Sequence, residues 1–440
     1  KSNIGHTEGA AGIAGIIKVA LALKHHMLPA SLHFKQPNPQ IPWSDIPLVV
    51  QQQTTPWPAD FGPAIAGVSS FGISGTNAHV VLTEAPERST STGREVGSSC
   101  KSYLLPISAH TAEALDAMAR AYQERVLHDN GHDVAFHDIC YTASARRTHH
   151  DFRLSMLARS CEDINEQLDA FLKHETRRGV AAGRKVPDLE RKVVFVCPGQ
   201  GSQWLGMARR LVDEERIFRE AIERCAEALS RYADWSLLDE IRADASNSRL
   251  EELDVVQPVL FAVQVALAAL WRSWGIEPVA VVGHSMGKVA AAHVAGIINL
   301  DEAARIIGRR SQVVERRASG HGKMAVVELP VEGVERLLAK YEGRVVVAAC
   351  NGPTTTVISG EAEALGEISQ TAQNQEIFFQ FVKVDYASHS PHMDPLRDEL
   401  LDVFGDIHPR QASVAMMSTT GAAAMLDGRE CDAEYWYRNL

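Results

Sequence analysis

The sequence predicts an α/β protein built from more than one domain, and three observations carry that reading. From Val193 onward, apolar strand-like runs alternate with helical patterns, the order of a mostly parallel sheet with helices packed on it. Within that stretch, Met324 to Val384 reads strand, helix, strand, strand, helix, strand, so a small split βαβ subdomain is expected inside a larger one. A chain of 440 residues also exceeds one ordinary core, at about 150 residues per domain.

The segment 1–85 opens with a helical pattern in which Gly9, Gly12 and Gly15 recur at helical spacing ahead of the apolar run Ile16 to Leu23. Small residues on one face let another backbone approach closely. It ends in SSFGISGTNAHVVL, where Gly72 and Gly75 punctuate strand-like stretches. Glu84 to Ser102 then turns to Ser, Thr, Gly and charged residues, the composition of a linker. A small α/β module follows, with a strand at Tyr103 to Ile107 and a helix from Thr111 to Val126. A strand at Phe152 to Ala158 and a helix at Glu162 to Lys173 complete it. The polar, basic stretch His174 to Lys192 reads as a separator before the strand Val193 to Cys197. The inserted subdomain, by its element order, is ferredoxin-like.

Composition narrows the function. With 45% hydrophobic and 22% charged residues the chain can build sizeable cores. A net charge of −11 lacks the clustered cations that nucleic acid or an anionic lipid surface requires. The seven cysteines form no C-x-x-C pair, so neither a zinc site nor a disulfide framework is expected, as in a reducing cytoplasm. No apolar run reaches the roughly 18 to 20 residues that span a bilayer. The first residue is Lys1, and both ends fall in ordered-looking segments, so a piece of a longer polypeptide is expected.

The sharpest local signal is GHSMG at Gly283 to Gly287, between the apolar strand Pro278 to Val282 and an Ala-rich helix from Lys288. A G-x-S-x-G turn of this kind exposes a serine, here Ser285, at a helix N-terminus. A hydroxyl is a weak nucleophile and needs a base. Of 18 histidines, His389 in VDYASHSPHM follows a strand end and can reach the C-terminal edge of the sheet. His284 reads as a buried structural histidine and His392 as structural too. The N–H of Met286 and the loop PGQGSQ at Pro198 to Gln203 are candidates to stabilise an oxyanion.

PGQGSQ, GHSMG, an arginine in GRRS and a downstream Ser-His pair, in that order, resemble the acyl-carrier-protein acyltransferases of fatty acid and polyketide synthesis. The resemblance implies Ser285 as nucleophile, His389 as general base, and Gln200 with Met286 as backbone oxyanion donors. It implies Arg310 as the group that grips a substrate carboxylate, a guanidinium being able to make two parallel bonds to one. Arg309 reads as a solvated neighbour. Asn439 and Gln257 match amide residues that support the histidine and pack beside the elbow. Lys288 departs from the pattern, which has an acidic residue there.

KSNIGH at Lys1 to His6 and FGISGTNAHVV resemble the end of a ketosynthase whose condensing cysteine lies outside this chain. The whole order resembles part of a type I polyketide synthase. It implies a ketosynthase remnant (1–85), a linker and small α/β linker domain (86–192) and an acyltransferase (193–440). The last has a hydrolase-like large subdomain (193–320 and 386–440) and the ferredoxin-like one (321–385). The expected substrates are malonyl-CoA or methylmalonyl-CoA. The expected partners are an acyl carrier protein with its phosphopantetheine and the rest of the ketosynthase, with no metal or bound cofactor and a monomeric fragment. Tyr386, Ala387, Ser388 and His389 read YASH, which resembles methylmalonyl-selecting domains, whereas at Met286 such domains more often carry Gln and malonyl-selecting ones an aliphatic residue, so the two motifs do not point the same way. The alternatives are a serine hydrolase, with Asp385 as an awkwardly close acid, and an inactive scaffold.

Overall fold

The structure, a computed structural model, describes residues 2–58, 62–86, 102–128, 136–186, 192–341, 343–421 and 424–440. Most of the stretch read as a linker, 87–101, lies outside the described residues. The chain forms two compact units, Lys1–Lys185 and Val186–Leu440.

In the first unit the helix Ala11–His25 packs on the hairpin of strands Ile65–Phe71 and Asn77–Thr83. The small residues of that helix are there for close approach: a Cβ on Gly12 would lie 3.1 Å from Ser70 Oγ, and one on Gly15 3.0 Å from Val68. A separate antiparallel sheet orders Tyr103–Ala109, Phe152–Ala158 and Val180–Arg184. The helices Ala112–His128, Phe136–Ala145 and Cys161–Leu172 accompany it. Leu105, Leu154, Met156, Ile164 and Leu168 form its core. The third strand falls in the stretch whose composition reads as a separator. Its burial is slight, so no apolar alternation marks it, and it is held by pairing to Phe152–Ala158.

The second unit has a four-stranded sheet. Val194–Cys197, Ala280–Gly283 and Ala415–Ser418 run parallel, and Ala424–Leu426 closes one edge antiparallel. The helix Leu253–Ser273 is long and apolar enough to cross a membrane, which the sequence reading did not expect, because Asp254, Gln257, Gln264 and Arg272 interrupt its apolar run. Most of it is buried against the helices Arg216–Leu229, Gly287–Val294 and Leu300–Ala318, the place of a core helix. The helix Leu300–Ala318 starts at a capping box, Asn299 and Glu302 each satisfying the other's backbone N–H.

Between Lys323 and Phe381 the order strand, helix, strand, strand, helix, strand is realised. The strands lie as Val345–Gly352, Thr355–Gly360, Lys323–Val327 and Phe379–Phe381, all antiparallel, which is the ferredoxin-like arrangement. Its core is Val327, Ile358, Leu365 and Ile368 with their neighbours. A Cβ on Gly360 would sit 2.2 Å from the carbonyl oxygen of Arg344. Gly360→Ala is therefore expected to force the two strands apart and to lower stability by about 1–3 kcal/mol, the usual cost of overpacking. Urea unfolding with an unchanged midpoint would show that the strands yield freely.

Candidate active site

The strand Ala280–Gly283 turns into the helix Gly287–Val294 through His284, Ser285 and Met286. Ser285 has φ +50°, a left-handed conformation that an L-residue adopts at a cost. The flanking glycines are steric requirements. A Cβ on Gly283 would lie 2.3 Å from Lys288 Cα, and one on Gly287 2.2 Å from the carbonyl oxygen of Cys197. The turn is further tied down by the His284 N–H donating to the Cys197 carbonyl at 2.9 Å.

Ser285 Oγ and His389 Nε2 are 3.0 Å apart, a hydrogen bond between residues widely separated in the chain. His389 also has positive φ, +59°, and its N–H donates to the Leu440 carbonyl at 2.7 Å. The Ser388 hydroxyl donates to the same carbonyl at 2.9 Å. Asn439 supports the pair from the serine side: its Nδ2 donates to the Ser285 carbonyl at 3.2 Å and its Oδ1 accepts from Lys288 Nζ at 2.8 Å. Burial, with Arg310, Lys288 and His284 adding to it, lowers His389 to about 3, so the ring stands as the neutral base that can accept a proton from Ser285.

Arg310 is 1% exposed, and none of its three guanidinium nitrogens finds a hydrogen-bond partner among the described residues. Burial lowers it to about 10, with the Tyr386 hydroxyl acting the other way. Tyr386 is itself pushed up to about 12 by burial, and it accepts from Gln257 Nε2 at 3.3 Å. Gln257 Nε2 also lies 3.4 Å from Gln200 Oε1, linking the core helix to the glycine-rich loop. That loop abuts the elbow, since a Cβ on Gly199 would meet His284 Nδ1 at 3.1 Å and Ser285 Cβ at 3.6 Å.

Two expectations, those for His284 and Arg309, change here. His284 is exposed at the cavity rather than buried, because the strained turn projects it outward beside Asn351. Arg309 is not freely solvated: it stacks over the Tyr232 ring at 5.5 Å and donates to Gln312. His392 sits half-buried at the start of a 3₁₀ helix, its N–H donating to Ser390 Oγ. Asp385 accepts from Ser319 Oγ and the Gly320 N–H rather than from His389.

A cavity of about 760 Å³ opens beside Ser285 and His389, and Lys288, Asn351, Thr419 and Asn439 line it. Asn351 comes from the ferredoxin-like subdomain, in the run VAACNG at the end of its second strand. Sequence reasoning missed it, although a small-residue strand end was its available signal.

Residues 194–440 match the acyl transferase domain family, residues 37–156 the ketoacyl-synthetase C-terminal extension, and residues 1–35 the C-terminal domain of beta-ketoacyl synthases. Over all of its length the chain is 43% identical to erythronolide synthase EryA2 of Saccharopolyspora erythraea and 39% identical to polyketide synthase GfsB of Streptomyces halstedii. It spans 12% and 8% of the length of these two relatives. Among solved structures it is similar to the acyltransferase domain from module 8 of the salinomycin polyketide synthase. That match has a TM-score of 0.71 and 36% identity, and covers 78% of this chain and 79% of that one.

The charge state of His389 gives a direct expectation. A base whose value is lowered stays competent as pH falls, so Ser285 should react with a fluorophosphonate at an undiminished rate as pH drops through the ordinary histidine value near 6.5. A half-maximal rate at that pH would show His389 titrating as an ordinary histidine. His389→Ala should slow the reaction about 10²- to 10⁴-fold.

Proposed function

Because the chain belongs to the acyl transferase domain family, preceded by ketosynthase C-terminal and linker segments as in modular polyketide synthases, we propose that it loads a carboxyacyl unit from coenzyme A onto Ser285 and passes it to an acyl carrier protein. The observation that carries this reading is the buried, unpartnered guanidinium of Arg310 next to the Ser285–His389 pair. A buried cation without a partner is costly. A carboxylate on the incoming acyl group would supply the missing acceptor, with two parallel bonds.

In the first half-reaction Ser285 Oγ attacks the thioester carbonyl while His389 Nε2 takes its proton. The N–H groups of Met286 and Gln200 receive the oxyanion. Collapse expels the coenzyme A thiolate, which takes the proton from His389. In the second half-reaction the phosphopantetheine thiol of the carrier gives its proton to His389 and attacks the Ser285 ester. Collapse breaks the bond from the acyl carbon to Ser285 Oγ, which takes the proton back from His389, and the carrier leaves as the new thioester. Side chains and backbone supply all of this chemistry. A serine hydrolase reading is disfavoured because Asp385, the acid closest to His389 in sequence, is engaged by Ser319 and Gly320 instead of the histidine.

Methylmalonyl is the unit we favour over malonyl. A side chain no larger than serine stands at position 388, with its hydroxyl turned onto Leu440. A phenylalanine there would fill space beside the substrate's α-carbon. One methyl group in an apolar pocket discriminates by only about 1–3 kcal/mol, so preference rather than exclusion is expected.

Incubation with equal concentrations of methylmalonyl-CoA and malonyl-CoA, followed by intact-protein mass spectrometry, tests both levels. The expected product is an adduct of mainly methylmalonyl mass that Ser285→Ala abolishes. A mainly malonyl adduct overturns the selectivity, and release of free acid without an adduct overturns the transferase.

Arg310→Ala should cost the carboxyacyl substrates roughly 1.5–3 kcal/mol of binding, about 10- to 100-fold in loading, while acetyl-CoA loading holds or rises. Equal losses for both classes would assign Arg310 to the fold.

A further inference from the structure

One group beside Ser285 takes no part in that chemistry. Lys288 stands on the first turn of the helix Gly287–Val294, is 3% exposed, and lines the cavity together with Ser285 and His389. Its Nζ donates to Asn439 Oδ1, and Asn439 Nδ2 in turn donates to the Ser285 carbonyl. The next residue, Leu440, accepts from the backbone N–H of His389. Two adjacent residues at 439 and 440 thus touch both members of the serine–histidine pair, and Lys288 pins the first of them.

We propose that Lys288 is a positioning residue for the Ser285–His389 pair, aligning the serine through Asn439 and opposing the protonation of His389 with its charge. The proposal rests on the reading of Ser285 as the acyl acceptor. A buried ammonium repels a proton arriving on a neighbouring imidazole, and little water is present to screen it. The groups that face His389 are consistent with this: Arg310 from the helix Leu300–Ala318, His284 from the elbow and Lys288 from the helix that follows it. The acid on the cavity wall, Asp394, is engaged by the Tyr437 hydroxyl, and Arg438 on that wall lies beside Glu434, to whose carbonyl it donates. Lys288 is itself lowered to about 8 by burial and by Arg310, so its charge is present across the acidic and neutral range where His389 would otherwise titrate.

Three substitutions separate the two effects. Lys288→Gln keeps a donor for Asn439 without the charge, Lys288→Arg keeps both, and Lys288→Met keeps neither while remaining compatible with burial. The His389 ring is followed by NMR in the histidine-labelled chain, and Ser285 loading by methylmalonyl-CoA is followed against pH. In Lys288→Gln the His389 titration and the acid limb of loading should both move up by about one pH unit or more. Lys288→Arg should leave them near their original place. Lys288→Met should show the same upward movement and also a kcat plateau about tenfold lower at unchanged KM, because the serine loses its support. An unmoved His389 titration in both Lys288→Gln and Lys288→Met would overturn the proposal. If the titration moves as expected but no thioester ever loads Ser285 in the unsubstituted chain, the positioning role stands and the proposed transfer fails.

Discussion

The hydrogen bond between Ser285 Oγ and His389 Nε2 is the contact on which the large subdomain's arrangement turns. The serine comes from one parallel strand's end, and the histidine from a segment that returns only after the whole ferredoxin-like insertion. Both residues sit at positive φ, so each is held against a local backbone preference. Such strain persists only when surrounding contacts over-determine it. Here they are the two glycines of the elbow, the Cys197 carbonyl beneath it, and the Leu440 carbonyl that receives both His389 and Ser388.

Electrostatics follow from that packing. Arg310, Lys288 and His389 are drawn together with no carboxylate among the described residues bonded to any of them, and burial lowers all three. The least basic of them, the imidazole, gives up its charge first, which is the state a general base needs. The same field makes the site receptive to an anion, in the transition state at the oxyanion and in the substrate at its carboxylate. One distribution of charge therefore serves both binding and proton transfer.

Much of this was legible in the sequence because it is written locally. The G-x-S-x-G turn, the strand before it and the helix after it are neighbours in the chain, and periodicity alone marks the ferredoxin-like order between Lys323 and Phe381. His389 was legible as a candidate because it follows a strand end that can reach the C-terminal edge of the sheet, and the family resemblance pointed to the same histidine. What stayed hidden depends on tertiary contact. The strand Val180–Arg184 is short and poorly buried, lies within a basic stretch, and exists because Phe152–Ala158 offers it a partner. The helix Leu253–Ser273 looked too interrupted for a long apolar element until its polar positions found partners, Gln257 toward Tyr386 and Gln264 toward the Pro198 carbonyl. Lys288 was visible as a departure from the family pattern, but its bond to Asn439 crosses most of the acyltransferase sequence.

The unpartnered guanidinium of Arg310 shows how function and stability oppose each other in this unit. An apolar side chain of similar size would pack into the same place without leaving three donor nitrogens unsatisfied, and would stabilise the free protein. Keeping the arginine places the desolvation cost in the folded state before any substrate arrives. A carboxylate that docks there then meets a cation already stripped of water and held in place by the helix Leu300–Ala318, with its capping box and buried face. Pre-paying that cost lets a modest number of contacts orient the acyl group against Ser285, because little reorganisation remains for the moment of reaction.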